Sequence, residues 1–136
     1  LHGEGVLVSA AGTPKLRLVY LPDADTSPEQ EAPRFAGAGV EVLIPQLMDR
    51  RSTYSGVPRY RMTNMPHREF LWRILYPLGR HPIGVEVQKT LAAVDWMTRQ
   101  EPRVPIVVAG YGEGGRVALY AGALDTRISQ VLVSGA

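Results

Sequence analysis

Four glycines in six residues, Gly110, Gly112, Gly114 and Gly115, separate the apolar run Ile106-Val107-Val108-Ala109 from a segment, Glu113 to Leu124, in which Val117, Leu119, Tyr120 and Leu124 recur at helical spacing. A chain that turns sharply from strand to helix needs residues without side chains at the crossing. The segment therefore predicts a strand, a tight turn with Gly112 at its apex, and a helix. Few folds use such a junction except those in which strands and helices alternate.

The rest of the chain extends that alternation. Gly5 to Ser9 reads as a short strand, and Lys15 to Leu21 as a second, with Leu16, Leu18 and Tyr20 alternating against Arg17 and Val19 before Pro22 stops the ladder. Ser27-Pro28-Glu29-Gln30 offers a cap, a proline at the first helical position and a Gln three residues after the cap, so a helix starts there, shortened by Pro33, Gly37 and Gly39. Val40 to Ile44 has the continuous apolar character of a strand covered on both faces, and Gln46 to Met65 has no period and reads as a long loop. Phe70, Leu71, Ile74, Leu75 and Leu78 mark one helix; Pro82 opens a second, with Ile83, Val87, Leu91, Val94 and Met97 on one face, running to about Gln100. Ile128 to Val133 is the last strand. This order predicts an α/β fold of three layers, a mostly parallel sheet with helices on both faces, whose ligands bind outside the carboxyl ends of the strands.

With 136 residues the chain is expected to form a single domain over 1–136. It has no cysteine, which excludes disulfides, thiolate metal sites and a cysteine nucleophile. A net charge of +2 gives no reason to expect nucleic acid as a partner, and no apolar run is long enough to suggest a membrane span. The chain begins with Leu1 rather than Met and stops directly after the strand-like Val131-Leu132-Val133-Ser134, so a longer protein, cut before its last strands, is the expectation.

Two mechanisms fit the glycine turn. As G-x-G-x-x-G, Gly110, Gly112 and Gly115 are in register for a dinucleotide fingerprint, although Ser129 to Ala136 lacks the acid such a site needs about 20 residues on. As G-x-nucleophile-x-G, the same residues form the sharp turn that lifts a catalytic side chain above a sheet, with Gly112 where the nucleophile would be. A packing turn of small residues accounts for the glycines about as well.

The run Pro22-Asp23-Ala24-Asp25, the segment Met62-Thr63-Asn64-Met65-Pro66-His67-Arg68-Glu69, the stretch Leu78-Gly79-Arg80-His81-Pro82-Ile83-Gly84 and Ala92-Ala93-Val94-Asp95-Trp96 ahead of the turn resemble the α/β-hydrolase superfamily, above all its dienelactone-hydrolase and acetyl-xylan-esterase-like branches. The resemblance implies kinship to hydrolases of esters, carbohydrate esters and lactones, which use a nucleophile, an acid and a His in that chain order. It places Gly112 at the nucleophile position without a side chain, the Glu113 N–H in the oxyanion site, and the loop Pro22 to Asp25 as source of a second N–H. No His follows Gly112, and Asp125 is expected to end its helix beside Arg127 rather than serve as the acid. The chain is thus expected to be inactive as a serine hydrolase; a non-catalytic binding or scaffold domain is the alternative.

Pocket candidates are Asp23, Ala24, Asp25, Tyr111, His67 and His81. Asp23-x-Asp25 has the donors for a divalent cation, but Asp25, Glu29 and Glu31 equally suit the start of a helix, and neither metal nor cofactor is expected. Arg50 to His81 holds seven Arg and two His against Glu69 alone, a balance that fits either an anionic substrate or a solvated surface paired with the acids near Asp23. Tyr54, Tyr60, Trp72 and Tyr76 suit a sugar platform, with core packing favoured for Trp72. A small ester or carbohydrate-like molecule is the expected ligand.

Overall fold

The computed structural model describes residues 3–35, 37–48 and 65–135. Strands β1 (Gly5–Val8), β2 (Arg17–Leu21), β3 (Glu41–Pro45), β4 (Ile106–Tyr111) and β5 (Ile128–Ser134) form one sheet in the order β1-β3-β2-β4-β5. β1 runs antiparallel to β3, whereas β2 pairs in parallel with both β3 and β4, and β4 in parallel with β5. The connections are α1 (Pro28–Glu31) and a 3₁₀ turn at Ala32–Phe35, then α2 (His67–Leu75), α3 (Pro82–Gln100) and α4 (Glu113–Leu124). This is the mostly parallel α/β sheet expected from the alternation.

Period two divides the sheet into two faces. Val19, Leu21, Ile106 and Val108 meet Val87, Val94 and Met97 of α3 and Val117, Ala118 and Ala121 of α4 in one buried cluster. On the opposite face Tyr20 packs on Phe35 of the 3₁₀ turn, ring centroids 4.9 Å apart, beside the fully buried Val42 and Ile44. Arg17 follows the Val19 face inward, where its Nε lies 2.6 Å from Glu41 and its guanidinium donates to the Met97 carbonyl at 2.5 Å. Among the described residues no helix is long and apolar enough to cross a membrane.

Two expectations need correcting. The buried face of α4 is Gly114, Gly115, Val117, Ala118 and Ala121, while Leu119, Tyr120 and Leu124 stand exposed. Small residues let the helix lie close on the sheet, so closeness of approach, not bulk, chooses the inward face. Trp72 is also not core: α2 buries none of its residues, and the indole lies on the surface against Tyr76, 5.0 Å between centroids.

Candidate functional site

β4 ends at Tyr111, α4 begins at Glu113, and Gly112 makes the crossing with φ 58° and ψ −123°. That backbone lies outside the regions open to ordinary side chains, so glycine is the unstrained choice. The Gly112 N–H donates to the Ser134 carbonyl at 2.9 Å, tying the turn to β5. Gly110 and Gly114 serve close packing: a Cβ on Gly110 would stand 2.6 Å from the Gly115 nitrogen, and one on Gly114 2.5 Å from the Pro22 carbonyl oxygen. The end of β2 therefore lies directly on the first turn of α4, and the loop after it meets the turn at the carboxyl edge of the sheet.

Asp23 fills that junction. Its Oδ1 accepts the N–H of Ala24 at 2.9 Å and the N–H of Glu113 at 3.1 Å, two donors from segments far apart in the chain. A Cβ on Gly112 would meet the same carboxylate, 2.7 Å from Cγ and 2.8 Å from Oδ1. Carboxylate and turn thus occupy one small volume, and the absent side chain at Gly112 is what leaves room.

A second set of charges lies beside it. Arg68 of α2 pairs with Glu113 and, at 3.2 Å, with Glu86 of α3, whose side chain is fully buried and also accepts the Met48 N–H at 2.8 Å. Burial pushes the Glu86 carboxyl above its ordinary value; the Met48 N–H and Arg68 oppose this, and the negative Glu113 adds to it. Neither Arg68 nor Glu86 was singled out from the sequence. The signal was there: Glu86 and Thr90 interrupt the apolar stripe of α3, and both are buried. Because the folded chain holds the Glu86 proton to higher pH than the unfolded chain does, its contribution to stability is complete below the ordinary value of 4.5 and is lost as pH rises through the raised folded value. Urea unfolding across that window should show stability falling with pH, and a shallower fall in Glu86→Gln; an unchanged slope in the variant would assign the effect elsewhere.

The remaining sequence candidates divide. His67 opens α2 and lines a cavity of about 520 Å³ with Ala24, Asp25, Ser27, Gln46 and Met48, its Nδ1 buried without a hydrogen-bond partner among the described residues. Ala24 is buried and Asp25 exposed. His81 is not part of the site: it is exposed and caps α3, its Nδ1 accepting the Ile83 N–H at 3.2 Å. Tyr111 is exposed at the end of β4, its ring against Gly135. Arg73 pairs with Glu69 at 2.7 Å, so the described arginines Arg68 and Arg73 find acids on helices rather than those near Asp23. Arg50, Arg51, Arg59, Arg61, Tyr54 and Tyr60 lie outside the described residues. Asp125 does end α4 beside Arg127, which donates to it at 2.5 Å and also reaches Asp95 of α3 at 2.6 Å. No group of three side chains suited to a metal is found among the described residues.

The mostly parallel sheet with helices between its strands matches the α/β-hydrolase fold of solved esterases. A cold-adapted esterase from an Arctic intertidal metagenomic library aligns in its PEG-bound form at 23% identity and TM-score 0.59, covering 95% of this chain and 53% of that one. Its zinc-bound form gives 22% identity and TM-score 0.58, over 95% and 51%. Brefeldin A esterase, a bacterial homologue of human hormone-sensitive lipase, aligns at 19% and TM-score 0.52, covering 96% of this chain and 38% of that one. The chain thus spans about half the length of the cold-adapted esterase. No protein-family model and no curated protein matches it.

Proposed function

We propose that the chain carries the anion-binding part of an ester-hydrolase site whose nucleophile position, Gly112, has lost its side chain. The observation that supports this is the convergence of the Ala24 and Glu113 N–H groups on a single oxygen, at 2.9 and 3.1 Å. Two backbone donors aimed at one point are what a developing oxyanion requires. The fold shared with esterases agrees with this reading, and the sequence resemblance to dienelactone hydrolases and acetyl-xylan esterases directs it towards lactones and carbohydrate esters.

In this reading Glu113 and Ala24 supply donors and Gly112 supplies no nucleophile. A hydroxyl placed at 112 would need a general base beside it, since without one it stays protonated and attacks weakly. Serine-type attack from position 112 is therefore no part of this reading. A binding domain on the same fold is the second reading, favoured by a donor pair that persists beside a position with no side chain to attack a substrate.

The test is turnover of an activated aryl ester and labelling by a serine-reactive phosphonate, on the chain and on Gly112→Ser. Turnover no greater than that of a denatured control and no label at position 112 are expected. Stoichiometric labelling of the variant, or clear turnover by the parent, would show that a base is present, with His67 the first to test.

A further inference from the structure

We infer that the Asp23 carboxylate is a built-in occupant of this donor pair, an autoinhibitory contact that a small carboxylate ligand must displace to bind there. The inference rests on the reading of Ala24 and Glu113 as an anion site and adds what holds that site closed. Three observations carry it. Oδ1 takes both N–H groups at once, so no donor of the pair is left for another anion. One contact is local, Asp23 taking the N–H of the next residue, but the other reaches the head of α4, so the carboxylate ties the loop after β2 to the start of a helix remote in sequence. And the carboxylate stands within 3.0 Å of where a Gly112 side chain would begin, so plug and side chain exclude each other.

That exclusion couples the two positions. A serine at 112 has to move the Asp23 carboxylate, and moving it frees the donors. Conversely, shortening Asp23 leaves a vacant pair of N–H groups around a volume the size of one carboxylate. Acetate is the simplest occupant: its oxygen repeats the chemistry of Oδ1, and its methyl group takes the place of the Asp23 side-chain carbon.

The experiment follows the amide ¹⁵N–¹H signals of Ala24 and Glu113 during titration with sodium acetate, at constant ionic strength held with chloride. In Asp23→Ala both signals should shift together and saturate, with an apparent affinity at least tenfold above any response of the parent. The neutral variant Asp23→Asn keeps an acceptor on the donors and should give a weaker saturable response; it decides the matter if Asp23→Ala does not fold. A folded variant without saturable shifts would overturn the inference, as would a parent that responds equally. A second arm compares thermal midpoints: Gly112→Ser should lower Tm by less in the Asp23→Ala background than in the parent, and equal losses would remove the coupling. Ester turnover by the parent would strike the earlier reading, whereas equal acetate responses would strike this one alone.

Discussion

Arg68→Ala should lower the free energy of unfolding by about 3–5 kcal/mol, because it leaves the fully buried Glu86 carboxylate without its cation. The Met48 N–H remains on Glu86, but one hydrogen bond does not replace a guanidinium held beside a group with no access to water. The loss extends to Glu113, whose carboxylate is paired with the same arginine at the head of α4. Equilibrium unfolding in urea measures it. Replacing both partners with apolar residues, Arg68→Met with Glu86→Leu, should recover most of the loss, since the penalty arises from the unpaired charge rather than from the absence of the pair. A single variant within about 1 kcal/mol of the parent would mean that Glu86 accepts a proton at little cost and that the arginine is dispensable.

Gly114→Ala should be as damaging or more so, at about 4 kcal/mol or above. The added methyl would stand 2.5 Å from the Pro22 oxygen and 2.6 Å from the Leu21 carbonyl carbon, both backbone atoms that cannot swing aside. Relief requires the end of β2 to withdraw from α4, which breaks the Asp23–Glu113 hydrogen bond as well. Gly84→Ala on α3 is the control, since nothing lies within 4 Å of its added carbon. There the helix should gain about 0.5–1 kcal/mol, the usual advantage of alanine over glycine in a helix. A thermal melt that ranked the two substitutions equally would contradict the close approach of loop and helix.

Local pattern carried most of the architecture. Prolines and glycines punctuate the chain at nearly every boundary, and the Val94–Met97 face of α3 and the apolar β4 run are visible to period counting. What period counting could not see was which apolar residues face inward on α4. Leu119 and Leu124 look like core, but the helix approaches the sheet on Gly114, Gly115 and Ala118, a matter of distance between backbones that hydrophobicity does not encode. The turn at Gly112 was legible from its glycines and the neighbouring loop Pro22 to Asp25 from the family resemblance, whereas the seat of the Asp23 carboxylate on two N–H groups was not, because a side-chain rotamer leaves no trace in sequence. Arg17 shows the same limit. Its alternation with apolar neighbours does not say which face is covered, and it is buried against Glu41 and the end of α3.

Asp23 and Glu113 are separated by 90 positions, and their strands come into register only through the β2–β4 ladder, from Arg17 opposite Ile106 to Leu21 opposite Gly110. Closing so long a stretch of chain has an entropic cost that local helix formation does not bear. No partly assembled state in which β2 and β4 are apart can contain the donor pair, however much of α3 or α4 it has formed. The anion pocket therefore has no local precursor along the folding route, and it comes into being together with the central pairing of the sheet.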